Sequence, residues 1–123
     1  MAWEVLVTEE FAAWYENMTA HEQESVRKKV DLLGEVGTGL GRPHSGTIRG
    51  SRHAMRELVI QHAGKPYRIL YCFDPERRVI LLLGGNKAGN PRWYQENVPR
   101  ADALFDAYLV QRKTNHEADQ EET

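Results

Sequence analysis

The segment from Tyr67 to Gly85 most constrains what this chain can fold into. It reads Tyr67-Arg68-Ile69-Leu70-Tyr71-Cys72-Phe73-Asp74, a turn through Pro75-Glu76-Arg77-Arg78, then the apolar run Val79-Ile80-Leu81-Leu82-Leu83 before Gly84-Gly85. Both runs carry strand-type residues, and a link this short forces an antiparallel hairpin. The second run is apolar on both faces, which predicts a central position in the sheet. Met55 to Gln61 reads as a further strand, joined to the hairpin through His62-Ala63-Gly64-Lys65-Pro66. Trp3 to Val7 is a fourth, short strand.

Two helices follow that first strand. Thr8 is placed to cap one whose first turn carries Glu9 and Glu10, and Phe11, Trp14, Tyr15 and Met18 fall on one face of it. Helical spacing accounts for these aromatics as core. Thr19-Ala20-His21-Glu22 matches a capping box, so a second helix starts there, with Val26, Val30 and Leu33 facing inward until Gly37, Gly39 and Gly41 end it. The glycine-rich stretch 34–50 is read as a crossover loop, since it lacks the Gly-Lys-Ser/Thr ending of a phosphate loop. Asn90-Pro91 reads as a helix start and Pro99 as the opening of a longer helix bearing Ala101, Leu104, Phe105, Tyr108 and Leu109. The fold expected is α+β, with a helical hairpin and a C-terminal helix packed on a mainly antiparallel four-stranded sheet. One domain is expected over residues 1–113, and the acidic stretch 114–123 is read as a disordered tail.

Composition excludes several classes. At 123 residues the chain suits one core. No apolar run approaches the ~20 residues of a membrane helix and the first residues do not resemble a signal peptide, so a cytoplasmic location is expected. Cys72 is the only cysteine, which rules out an internal disulfide, and the five histidines lack metal-ligand spacing. Neither a metal nor another cofactor is expected. The net charge of −2 hides segregation: residues 1–41 hold three Lys/Arg against eight Asp/Glu, residues 42–100 eleven against four, and residues 101–123 two against six. A basic middle between acidic flanks reads either as a local anion site or as a solvated, Arg-rich sheet face.

Alternation puts Tyr67, Ile69, Tyr71 and Phe73 on the face toward the helices and Arg68 on the opposite one. Arg56 is expected to join Arg68 there, with Leu58 and Ile60 on its own side, while Lys87 ends the next strand and Tyr94 follows on a helix. Arg68, Lys87, Tyr94 and Arg56 on one surface have the chemistry to grip and cleave a phosphodiester. Arg68 either clamps phosphate or pairs with Glu57.

The order Arg56-Glu57-Leu58, Tyr67 to Tyr71, Leu81-Leu82-Leu83-Gly84-Gly85 with Asn86-Lys87, and Tyr94 with Pro99-Arg100-Ala101 resembles the RelE/ParE toxins of bacterial toxin-antitoxin pairs, in their HigB-like, phage-derived branch. The resemblance spans about residues 3–112. It implies a metal-independent endoribonuclease that inhibits translation by cutting mRNA, usually on the ribosome, through attack of a ribose 2′-hydroxyl. It also implies a HigA-like helix-turn-helix antitoxin as partner, in a hetero-oligomer. Under this reading Arg68, Lys87, Tyr94 and Arg56 are catalytic, and Arg49, His53, Arg92 and Trp93 contact RNA, Trp93 either stacking on a base or packing the last helix. Lys87 serves as base only if its pKa is depressed. Tyr94, crowded by cations, ionises readily and acts as base, or else stacks on the nucleotide. The chain lacks the lysine cluster and the late histidine of well-studied relatives, which leaves the base unassigned. ParE-like members share the fold and inhibit DNA gyrase without nuclease chemistry, so gyrase inhibition is the alternative, as is a degenerate module that only binds antitoxin.

Overall fold

The computed structural model describes residues 2–122, with side chains described for residues 2–115. Its elements are β1 (Glu4–Val7), α1 (Glu9–Glu16), α2 (Ala20–Val36), β2 (Ser45–Thr47), β3 (Arg56–His62), β4 (Lys65–Phe73), β5 (Arg78–Asn86) and α3 (Trp93–Glu122), with a 3-10 turn at Gly37–Gly39. The sheet has five strands in the order β1-β5-β4-β3-β2. β1 runs parallel to β5 and the other pairings are antiparallel. The fifth strand, β2, falls in the stretch expected to be crossover loop. It is only three residues long, Ser45-Gly46-Thr47, and carries no strand signature.

Both helix starts form as their sequences require. Thr8 accepts a hydrogen bond from the Phe11 amide, and Thr19 and Glu22 bond reciprocally in a capping box. α1 and α2 cover one sheet face, where Phe11, Val26 and Leu33 pack on Leu58, Ile60, Tyr67, Ile69, Tyr71, Val79 and Leu81. α3 covers the other, where Trp93, Val98, Ala101 and Phe105 pack on Leu70, Cys72, Ile80, Leu82 and Leu83. β5 is therefore apolar on both sides because it is covered on both sides. A bulge at Leu82, between the pairs Leu70–Leu83 and Tyr71–Leu81, puts Leu82 and Leu83 together on the α3 side.

The bulge also fixes where the two glycines face. A Cβ on Gly84 would lie 2.4 Å from the Trp14 ring, and one on Gly85 would lie 2.8 Å from Trp93 Nε1. Each indole sits against backbone that no other residue would leave bare, one on each side of the sheet.

The last helix is one element, not two. Pro99 lies inside α3. It and Gln95, whose carbonyl it cannot bond, are both exposed, so water can solvate the group left open. The boundary expected at residue 113 falls within this helix, and the tail's side chains from residue 116 on lie outside the described residues. No helix among the described residues is long and apolar enough to cross a membrane.

Candidate active site

The β3–β4 turn decides which side chains can meet. The strands run on to His62 and Lys65, leaving a two-residue turn of Ala63 and Gly64 with φ of 50° and 78°, both left-handed. That turn pairs Arg68 with Val59 and Arg56 with Tyr71. Arg68 thus shares the α3 face with Glu57, whereas Arg56 lies on the α1/α2 face with Leu58 and Ile60. The expected meeting of Arg56 and Arg68 does not occur, because the register is one residue off from that assumed. Arg56 instead donates to Ser45 Oγ (3.1 Å), Thr47 Oγ1 (3.0 Å) and the Leu40 carbonyl (3.3 Å), tying β2 and the segment before it to the sheet.

Glu57 takes the place expected for Arg56. Its Oε1 accepts a 2.6 Å hydrogen bond from the Tyr94 hydroxyl and lies 3.1 Å from Arg68 Nε. The Nε–H does not point at that oxygen, so this contact is an ion pair without hydrogen-bond geometry. Both side chains are largely withdrawn from water, at 12% and 14% exposure, and their attraction is little screened.

Tyr94 reaches Glu57 because its neighbour is anchored: Trp93 packs over Gly85 at the end of β5 and crosses the Tyr94 ring edge-on. Lys87 follows β5, with its amide bonded to the Pro66 carbonyl, and its Nζ stands 5.7 Å from the centre of the Tyr94 ring. Turns at Asn86 and Asn90, whose side chains accept from the amides of Ala88 and Arg92, fold the intervening loop back. Lys87, Gly89, Asn90, Pro91 and Tyr94 then line an open cleft of about 450 Å³.

The Tyr94 phenol does not ionise readily. Burial, together with its hydrogen bond to Glu57, pushes its pKa up to about 12, and nearby Arg68 offsets only part of that. The carboxylate that holds this hydroxyl is the Glu57 expected to pair with Arg68, and it works against the ionisation that crowding cations were expected to favour.

The expected RNA contacts divide. Arg49 and Arg92 are exposed. Trp93 is 5% exposed and belongs to the core, so it has no free face for a base. His53 bonds Asp106 through Nε2 at 2.6 Å and lies edge-on against Phe105. Asp106 stands twelve residues beyond Tyr94 on the same helix, about 18 Å along its axis, so His53 is remote from Glu57. Ser51 and Arg52 pin the same loop to Asp102 and Asp106. Among the described residues no group of three or more His, Cys, Asp or Glu lies together as a metal site.

Residues 13–106 match the model of a family described as phage-derived protein Gp49-like. The chain is 41% identical over 106 residues to the protein named as toxin HigB2 of Mycobacterium tuberculosis, covering 84% of this chain and 53% of that one. It is 41% identical over 108 residues to the protein named as toxin HigB3 of the same organism, covering 86% and 93%. It thus spans about half the length of the first relative and nearly all of the second. Among solved structures, a substituted E. coli toxin RelE in the free state matches at a TM-score of 0.59 and 19% identity, over 81% of this chain and 98% of that one. The RelBE2 toxin-antitoxin complex of M. tuberculosis matches at 0.54 and 16%, over 70% and 99%. At such identities the structural likeness speaks for the fold alone. On the family match and the curated relatives, the chain belongs to the phage-derived Gp49-like family of HigB-like proteins, and its fold is that of RelE.

Proposed function

We propose that this chain is the toxin of a toxin-antitoxin pair and that it cleaves mRNA, met on the ribosome, at the centre formed by Glu57, Arg68, Lys87 and Tyr94. The observation that carries the reading is Glu57 held between the Tyr94 hydroxyl and Arg68 beside a cleft bordered by Lys87. A ribose 2′-hydroxyl attacks the adjacent phosphorus; the O2′–P bond forms and the P–O5′ bond breaks, leaving a 2′,3′-cyclic phosphate. Glu57 takes the 2′-hydroxyl proton. Arg68 meets the charge that grows on the phosphoryl oxygens, and the Lys87 ammonium gives a proton to the departing O5′. Tyr94 keeps its proton and orients the Glu57 carboxylate.

The expected partner is a HigA-like helix-turn-helix antitoxin, and the expected compartment is the cytoplasm. Solved RelBE neighbours that are toxin-antitoxin complexes support a protein partner for this fold. An adjacent gene encoding a small helix-turn-helix protein would fit.

The test is controlled expression of the chain with mapping of new 5′ ends in cellular RNA, run beside a gyrase supercoiling assay. Arg68→Ala should lose about 10²–10³-fold in cleavage and Glu57→Gln about 10²–10⁴-fold, with the fold retained. Unchanged cleavage in folded Glu57→Gln would remove Glu57 as base and leave it as a counterion to Arg68. Inhibited supercoiling with intact RNA would establish the ParE-like reading instead.

A further inference from the structure

Arg42 comes from a part of the chain that neither the motifs nor the centre above include. It is exposed, and among the described residues it makes no hydrogen bond or ion pair. Its position is nonetheless specific. Gly46 pairs with Glu57 across β2 and β3, so both face the α3 side of the sheet. The point where a Gly46 Cβ would sit lies 3.2 Å from Arg42 Nη2 and 3.7 Å from Glu57 Oε2. Guanidinium and carboxylate are therefore no more than about 7 Å apart, close enough for their charges to act on each other. The bare glycine lets Arg42 fold down over β2 toward Glu57.

Glu57 thereby has cations on two flanks. Oε1 faces Arg68 and Tyr94, while Oε2 faces Arg42 and accepts no hydrogen bond among the described residues. In strand order, Lys87 follows β5, Arg68 lies on β4, Glu57 on β3, and Arg42 stands over β2. Steps of ~4.8 Å between strands make this a row of positive charge across the sheet, interrupted by one carboxylate. A row of this kind suits successive phosphates of a single strand.

We propose that Arg42 is a substrate-binding residue of this site, holding the phosphate next to the scissile one on the side of Glu57 away from Arg68. The proposal rests on the RNA-cleaving reading, and it adds where the strand runs: across the strands from Lys87 past Arg68 to Arg42. A planar guanidinium without internal partners can offer two parallel hydrogen bonds to such a phosphate.

The test measures binding of a short, fully 2′-O-methylated oligoribonucleotide, which keeps every phosphate and lacks the attacking hydroxyl, to the full chain across a salt series. Arg42→Ala should weaken binding about tenfold, the value of a charge-assisted hydrogen bond, and reduce the slope of log K against log salt by about 0.7. Arg42→Lys should restore the slope and only part of the affinity. Arg27→Ala, which removes an exposed cation from α2 on the opposite face, should change neither. On the RNA that the parent cleaves, Arg42→Ala should raise KM by a larger factor than it changes the single-turnover rate at saturation, since a charge-assisted contact made equally before and during reaction is uniform binding. Binding by folded Arg42→Ala equal to the parent's, or an equal loss in Arg27→Ala, overturns the proposal while the cleavage reading stands. A parent that binds the oligonucleotide and cleaves no RNA sinks the cleavage reading and leaves Arg42 to be judged on binding. A parent that does not bind it overturns the Arg42 proposal.

Discussion

In the proposed centre Tyr94 and Glu57 divide the proton chemistry between them, and the division follows from one 2.6 Å hydrogen bond. A phenol buried beside a carboxylate keeps its proton to about pH 12, so in any working range it donates and the carboxylate accepts. Tyr94→Phe deletes the donor and leaves Glu57 with its Arg68 ion pair alone. The expected result is a loss of about tenfold in cleavage, the worth of one hydrogen bond to a charged group, with no change in the alkaline side of the pH–rate profile. Both can be read from single-turnover rates between pH 5 and 10. A parent rate that climbs with pH through a limb that Tyr94→Phe abolishes would return Tyr94 to the role of titrating base. Arg68, Lys87 and Tyr94 were singled out in the sequence because their order along the chain resembles that of a family. Glu57 was read only as an ion-pair partner of Arg68, because its contact with Tyr94 depends on the Ala63-Gly64 turn, and Ala-Gly is a weak signal beside Asn-Gly or Asp-Gly. The same register that brings Glu57 in takes Arg56 out.

At the scale of elements, β5 and α3 hold the site in place. Gly84 and Gly85 read in the sequence as the end of an apolar strand, but their reason is tertiary: Trp14 and Trp93 press on them from opposite faces. Alanine at either position overpacks the contact. Gly84→Ala and Gly85→Ala should each cost about 1–3 kcal/mol. Gly39→Ala, whose added carbon would meet Val36 at an ordinary 3.6 Å, should leave stability close to the parent's. Thermal melts of the three variants decide it, and Gly85→Ala should also lower cleavage, because Trp93 positions Tyr94. α3 was read as two pieces because Pro99 signals a helix start, a local preference that packing of Val98, Ala101 and Phe105 on one sheet face overrides. The same contacts predict the effect of truncation. Ending the chain at residue 98 removes Ala101, Phe105, the Asp102 anchor of Ser51 and the 2.5 Å bond from Tyr108 to Asp74. That fragment should fail to melt cooperatively, whereas residues 1–113 should fold and cleave as the parent does. A stable, active fragment of residues 1–98 would show that α3 is dispensable.

At the scale of the whole molecule, among the described residues helices and sheet are joined at three places by a tyrosine hydroxyl donating to a carboxylate. Tyr67 on β4 bonds Glu22 on α2, Tyr94 on α3 bonds Glu57 on β3, and Tyr108 on α3 bonds Asp74 beyond β4. Only the protonated phenol can donate, and burial plus the neighbouring carboxylate raises all three to about 12. In an unfolded chain a tyrosine ionises near 10, so between about pH 10 and 12 the unfolded state binds fewer protons than the folded one. The sign is therefore fixed: the stability these bonds contribute is fully present below about pH 10 and is lost as pH rises through 12. Cys72, whose thiol burial pushes up to about 12, acts in the same direction. At the acid end Glu22, held down to about 2 by the Tyr67 and Thr19 hydrogen bonds, contributes stability above the unfolded carboxylate range that is lost as pH falls toward 2. Alkaline titration followed at once by tyrosinate absorbance and far-ultraviolet circular dichroism should show ionisation of these tyrosines coinciding with loss of helix. Tyr67→Phe should make the transition shallower, since one fewer proton is released on unfolding. Full tyrosine ionisation near pH 10 with the helical signal intact would mean that these hydroxyls are open to water and do not hold helices to sheet.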